Sequence, residues 1–262
     1  MKSEKFATAV LFLILMLFLT AACGSDDNAQ RLEEQKKSQQ RADSLALKIA
    51  VTPTADCEPL FYAERQGWFE RDSLSVRLVV FQAQMDQDTA VERHRVEGLT
   101  TDRERMAWLN SHGTPLVEVA TTPLAWQLIA NKDARLRQIE QLDDKMVAMT
   151  RHSATDRLAA WMIDSVGLTP EHVFRIQIND VDIRLQMLLN NIMDAAFLPE
   201  PQATVAREAG HNVLLSTDSL GMSYGVLAFR QDVVDDSLRR RQIEKLVTIY
   251  SAAQDSVLNR QR

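Results

Sequence analysis

Several acids and hydroxyls in this chain stand where a protein can use them. The stretch IMDAAFLPEPQATVAREAG, residues 192–210, runs a short apolar segment into Glu200, held between Pro199 and Pro201. Proline cannot extend a strand ladder and turns the residue before it away from helix, whereas it suits the first turn of a following helix. Glu200 is therefore expected at the carboxyl end of a buried strand, just before a helix, where open α/β sheets place ligand-contacting groups. Other strand ends read the same way. Thr52, Thr54, Asp56 and Cys57 follow a first strand, Gln84 and Asp86 a second, Thr100, Thr101 and Asp102 a third, and Thr121 and Thr122 close a fourth. Ser153 and Thr155 in TRHSATD (150–156), and Asp180 further on, stand at helix starts, where capping is as good a reading as ligand contact.

Bond-making chemistry finds little support. His94, His112, His152, His172 and His211 are scattered with no pair at metal-ligand spacing, and Cys57 has no second cysteine beside it, so neither a metal nor a cofactor is expected. The chain has no G-x-S-x-G elbow, P-loop or G-x-G-x-x-G. Nothing near Cys57 in sequence would lower its pKa, so a packed thiol is expected rather than a nucleophile. No enzyme is predicted. The net charge of −6, without a basic stripe, argues against nucleic acid as a partner.

The elements that position these residues alternate. Strand-like runs are LKIAVT (47–52), VRLVVF (76–81), VEGLTT (96–101), LVEVATT (116–122), WQLIA (126–130), MVAMT (146–150), FRIQI (174–178), DAAFL (194–198), VLL (213–215) and YGVLAF (224–229). Helix-like runs lie among them, the first broken at Gly67. Such alternation implies α/β layers with largely parallel sheets, and ten strands exceed the usual sheet, so two sheets are expected. Two helical stripes are assigned to the core: Leu158, Trp161, Met162 and Val166, and Ile243, Leu246, Val247, Tyr250 and Ala253. No repeat is visible, and 45% hydrophobic residues suffice for real cores.

The beginning of the chain differs in kind. Lys2 and Lys5 precede an apolar run from Phe6 to Leu19, then Thr20-Ala21-Ala22-Cys23. That is a signal-peptide layout over 1–22. Its end resembles a bacterial lipobox, with Cys23 as the lipidated residue and Thr20 in place of the usual leucine. The polar stretch 23–44 is then expected to be a flexible tether.

From about residue 46 the chain resembles a type 2 periplasmic binding protein, in the NMT1/THI5-like and SsuA/TauA-like group of ABC-transporter solute receptors. The likeness rests on LKIAVTPTADCEPLFYAERQGWFERDSLSVRLVVF, on DAAFLPEPQATVAREAG and on YGVLAFRQDVV, in that order. It implies a two-lobed α/β fold with a hinge and interlobe cleft, one lobe from 45–125 plus 227–262 and the other from 126–226. It implies a monomer that takes a small-molecule solute in the cleft, docks on an ABC permease, and is held to the membrane by lipid on Cys23. The cell envelope is the expected location, either facing the periplasm or on the outer-membrane surface. Glu200 would face the cleft from the second lobe, opposite Asp56 and Asp102. TRHSATD lies where the family opens a helix with a small-residue turn, but here it lacks glycine and carries Arg151 and His152. Asp56, Asp86, Asp102, Asp180 and Glu200 against few cations favour an amine or aminopyrimidine, in the manner of a thiamine precursor, over a sulfonate or nitrate. Phe81, Trp126, Phe197 and Tyr224 offer stacking faces, although most are expected in the core. The acid-rich CGSDD after the cleavage site resembles a surface-export tag, so the alternative is a surface lipoprotein that keeps the fold as an interaction module.

Overall fold

A computed structural model describes residues 30–32, 34, 36 and 45–260. The expected leader and Cys23 lie outside the described residues. The chain divides into two compact units, Met1–Ala46 and Leu47–Arg262. In the first, residues 30–32, 34 and 36 are helical, where the sequence predicts a tether; arginine, leucine, glutamate, glutamine and lysine are all good helix formers. Among the described residues no helix is long and apolar enough to cross a membrane.

The second unit holds ten strands in chain order: β1 Leu47–Val51, β2 Val76–Val80, β3 Gly98–Asp102, β4 Leu116–Thr122, β5 Gln127–Ala130, β6 Lys145–Met149, β7 Val173–Gln177, β8 Ala195–Leu198, β9 Asn212–Ser216 and β10 Gly225–Arg230. They form two five-stranded sheets, ordered β2-β1-β3-β10-β4 and β7-β6-β8-β5-β9. Each sheet is mixed. β1 pairs in parallel with β2 and β3 while β10 runs antiparallel to β3 and β4. β6 likewise pairs in parallel with β7 and β8 while β5 runs antiparallel to β8 and β9. The antiparallel pairings arise because β5 and β10 enter their sheets directly from a crossing segment instead of through a helix that would reverse the chain. β3, β8 and β10 are buried on both faces, and apart from Asp102 and Arg230 at their ends they are runs of apolar or small residues. Gly98 is required where β3 meets β10, because a Cβ there would lie 2.6 Å from the Phe229 ring.

Helices cover both sheets: α1 Glu58–Arg65, α2 Trp68–Arg71, α3 Gln84–Glu92, α4 Arg103–Ser111, α5 Ala154–Ser165, α6 Val181–Leu189, α7 Gln202–Glu208, α8 Gln231–Asp235 and α9 Ser237–Arg260. Gly67 ends the first helical run in the left-handed region, at φ 66°. Along α9, Ile243, Leu246, Ile249, Tyr250 and Ala253 are buried in the core of the first sheet, with Val247 packed at its edge. Each fully buried apolar side chain of this size contributes about 1.5–3 kcal/mol. The α5 stripe needs correction at two positions, Trp161 and Val166, the latter half-buried just past the end of the helix. Trp161 is 50% exposed, and the buried face is Ala154, Thr155, Leu158, Ala159, Met162 and Ile163. Residue 161 is three on from Leu158, about 60° round the helix from it, and falls at the rim of the packed face.

The chain passes between the sheets twice, at 123–126 and 217–224. The crossings are tied together: Thr217 N donates to Trp126 O (3.0 Å), Trp126 N to Thr217 Oγ1 (2.9 Å) and Tyr224 N to Leu124 O (3.2 Å). Paired crossings of this kind can bend as a unit while each sheet stays rigid.

Candidate functional site

The carboxyl ends of β1 and β3 in the first lobe face the ends of β6 and β7 in the second, and a cavity lies between them. Thr52, Thr54, Asp56, Gln82, Gln84, Gln87, Thr100, Thr101 and Asp102 line it from the first lobe; Leu124 and Trp126 come from the hinge, and Thr150, Asn179, Val181 and Arg184 from the second lobe. It encloses about 40 Å³, room for about three waters at ~10–15 Å³ each. The lobes touch directly around it. Ala55 N donates to Glu200 O at 2.8 Å, Gln84 N to Asn179 O at 3.4 Å, and Arg105 Nη1 to Arg151 O at 3.1 Å.

Three buried polar atoms of the lining have no hydrogen-bond partner among the described residues: Asp56 Oδ1, Gln87 Nε2 and Trp126 Nε1. Their residues are 3%, 1% and 7% exposed. A buried polar atom without a partner costs about 1–3 kcal/mol, so three in one cavity mark a place built for something that supplies one donor and two acceptors. Asp56 is positioned by the turn after β1, where its other oxygen accepts from Thr122 Oγ1 at 3.2 Å and its carbonyl accepts from Tyr250 Oη at 3.2 Å. Burial raises its pKa against the pull of hydrogen bonds from Thr54 and Thr122.

Asp102 ends β3 and begins α4. Its Oδ1 accepts from Arg105 N at 2.8 Å in its own lobe and from Ala154 N at 2.9 Å, the first residue of α5 in the other lobe. Its Oδ2 accepts from Gln84 Nε2 at 3.3 Å. Burial still outweighs those bonds and pushes the carboxyl up to about 6. Arg184 reaches the cavity from the middle of α6. It is fully buried and donates to Ile178 O (2.6 Å), Phe197 O (3.0 Å) and Thr150 Oγ1, with its guanidinium 5.7 Å from the Trp126 ring. Burial lowers it to about 9, so it stays charged at neutral pH. No carboxylate among the described residues bonds to it.

Of the residues singled out in sequence, Thr52, Thr54, Asp56, Gln84, Thr100, Thr101 and Asp102 line this cavity. Thr122 stands behind Asp56. Cys57 is buried beside Thr100 Oγ1 at 3.1 Å, and burial pushes its thiol up to about 12. Ser153 and Thr155 bond to the Thr150 backbone and to each other, and Asp180 caps α6 through Asp182 N and Ile183 N; all three hold helix starts rather than lining the cavity. Asp86 is exposed in the first turn of α3.

Glu200 follows β8 as the sequence predicts, but its carboxylate turns away from the cavity. It accepts from Gln127 Nε2 (2.9 Å), Arg207 Nη1 (2.7 Å) and both Thr204 N (3.0 Å) and Thr204 Oγ1 (2.7 Å). Burial would raise it, yet these bonds hold it below the usual carboxylate range. It lines a second depression, beside Pro59, Pro123 and Pro199, which adjoins the cavity through Asp56 and Leu124. Among the four aromatics only Trp126 reaches the cavity; Phe197 is wholly buried in the second core.

Gln87, Trp126 and Arg184 also belong to the lining. Trp126 was among the stacking candidates, while Gln87 and Arg184 were not anticipated. Arg184 had a signal in sequence: it shares the apolar face of Val181, Leu185 and Leu188, where a charge is out of place unless something holds it.

No curated protein sequence matches the chain. Solved structures do. The alkanesulfonate-binding protein SsuA of Xanthomonas axonopodis pv. citri, bound to MOPS, is 16% identical, with a TM-score of 0.72 over 83% of this chain and 75% of that one. The periplasmic nitrate-binding protein NrtA of Synechocystis PCC 6803 is also 16% identical, with a TM-score of 0.71 over 80% of this chain and 61% of that one. A Candida albicans protein of the generic periplasmic binding protein fold, CA3427, is 16% identical with a TM-score of 0.64, over 82% and 72%. At such identities the likeness establishes the fold, that of the periplasmic binding proteins. The NMT1/THI5-like family model matches residues 54–236, more than half of the chain. The protein belongs to the NMT1/THI5-like family.

Proposed function

We propose that this protein is the solute-binding component of an ABC import system, taking a small molecule into the cavity between its lobes. The observation that carries the reading is the trio of unpartnered buried atoms on Asp56, Gln87 and Trp126. Those atoms come from the first lobe and the hinge, and Arg184 adds a donor from the second lobe, so a solute that satisfies them favours the closed state through contacts to both halves. The import role is supported by the family match and by neighbours whose own descriptions name sulfonate and nitrate binding. Lobe 1 is taken as 45–125 plus 227–262 and lobe 2 as 126–226.

An amine-bearing solute or a thiamine-precursor-like aminopyrimidine fits the trio best, since such a molecule offers N–H donors to Asp56 and ring or carbonyl acceptors to Gln87, Trp126 and Arg184. Thr54, Gln84 and Thr101 supply further hydroxyl and amide contacts. An aminopyrimidine exceeds the room for about three waters in the cavity as closed, so the lobes would have to part further to receive it. The protein would act as a monomer in the periplasm or cell envelope, anchored through lipid on Cys23, and hand its solute to a membrane permease. This reading assigns it no catalysis; the Cys57 thiol, held up by burial, stands off the cavity.

A thermal-shift panel of amines, polyamines, pyrimidines, flavin precursors and sulfonates tests it. A ligand at about 100 times its Kd stabilises the native state by roughly 2.7 kcal/mol. A shift with an amine or pyrimidine supports the reading, and silence across the panel counts against it. Cys23→Ala tests the anchor separately, by release of the chain from the membrane fraction.

A further inference from the structure

Two helix N-termini, one from each lobe, converge on a single carboxylate. Arg105 N, in the first turn of α4, and Ala154 N, the first residue of α5, both donate to Asp102 Oδ1, at 2.8 and 2.9 Å. Gln84 Nε2 takes the other oxygen, at 3.3 Å, and the residue is 1% exposed. Free N–H groups and the positive ends of helices are what proteins use to hold anions. Here that place is filled by an anion belonging to the chain itself.

What remains open in the same cavity is of the opposite kind. Asp56 Oδ1 is a buried acceptor without a hydrogen-bond partner among the described residues, and it belongs to a second acid. The lining thus sets two carboxylates, Asp56 and Asp102, against one guanidinium, Arg184. Three of the five guanidinium N–H groups are already committed to Ile178 O, Phe197 O and Thr150 Oγ1.

We infer that Asp102 is a specificity-determining residue: by occupying the meeting point of α4 and α5 it bars oxyanions from the cleft and restricts the solute to neutral or cationic molecules. The same carboxylate bridges the lobes, so closure does not require a negatively charged solute. This rests on the reading of the cavity as a solute site and narrows its charge class.

The test titrates methanesulfonate and nitrate by calorimetry into the full chain in detergent, as wild type, Asp102→Asn and Asp102→Ser, with circular dichroism confirming that each is folded. Asparagine and serine both keep an oxygen able to cap α4, asparagine without the charge and serine with room besides. The wild type should show no saturable binding up to about 10 mM, and Asp102→Ser should gain affinity by at least about tenfold over that limit. Should the serine variant not fold, a gain of about threefold in Asp102→Asn carries the test. Sub-millimolar binding of either anion to the wild type overturns the inference, as does the lack of any gain in variants that fold. The amine and pyrimidine panel on the wild type reads the receptor role independently: if it is silent while Asp102→Ser gains an anion, the receptor reading falls and the role of Asp102 stands.

Discussion

The two lobes are built on one plan and carry opposite chemistry. In each sheet three strands run parallel, and a fourth, entering from the crossing segments, lies antiparallel between the third and the fifth. Yet the first lobe brings hydroxyls, amides and the acids Asp56 and Asp102 to the cavity, while the second brings Arg184, Asn179 and Thr150. The fold therefore settles where strand ends meet, and substitutions at those ends settle what they recognise. Neither half alone brings both a buried acid and a buried cation to the cavity. A solute that needs both is held only when the lobes are closed, which is what couples binding to conformation.

The comparison breaks most severely at Arg184. Arg184→Met keeps the length of the side chain but leaves Ile178 O, Phe197 O and Thr150 Oγ1 without their donor. We expect a loss of about 3 kcal/mol in urea unfolding, together with loss of solute binding. An unchanged midpoint would mean that the second lobe does not depend on its buried cation.

Asp102 should respond to pH in a direction opposite to that of a salt-bridged acid. Its folded pKa of about 6 lies above the ordinary 3.8, so between those values the native state holds a proton that the unfolded chain has released. Its contribution to stability is full below about pH 4, declines as pH rises to about 6, and is then level. Asp102→Asn removes the titration. The difference in unfolding free energy between variant and wild type should change in favour of the variant by on the order of 2 kcal/mol from pH 4 to 7. A pH-independent difference would show that Asp102 is not held in its raised state.

Asp56 separates recognition from stability. Because burial raises its pKa and one oxygen has no partner, Asp56→Asn should leave the melting temperature unchanged or higher while weakening an amine or aminopyrimidine by about tenfold, the worth of about 1.4 kcal/mol. Glu200 is the counter-case. Its carboxylate is spent on Thr204, Arg207 and Gln127, so Glu200→Ala should cost about 1 kcal/mol of stability at most and leave solute affinity within about twofold, a difference too small to assign to a lost contact.

These contrasts also explain what could be read from the sequence. All ten strand runs correspond to strands, and LVEVATT matches β4 residue for residue, because apolar runs stopped by glycine, proline or polar residues are a local signal. The mixed order of each sheet was not legible, since pairing direction depends on how the crossing segments deliver β5 and β10. RERMAWLNS shows no clear helical period, and VDIRLQMLL is signalled only by Asp180 at its start. Each places an arginine, Arg105 or Arg184, on its buried face, which blurs the apolar period. Asp56 and Asp102 were found as acids at strand ends, but Glu200, in an equivalent position, was not distinguishable from them. Its neighbour in space is Arg207, two turns along α7, and only the folded helix brings the two together.

The most direct test of the account is a matched titration of the same amine and aminopyrimidine panel against the full chain in detergent, as wild type, Asp56→Asn and Glu200→Ala. A solute is expected to stabilise the wild type and Glu200→Ala alike and to lose about tenfold in affinity for Asp56→Asn. A solute whose affinity falls with Glu200→Ala and not with Asp56→Asn would place recognition in the other depression and contradict the assignment of the cavity between the lobes.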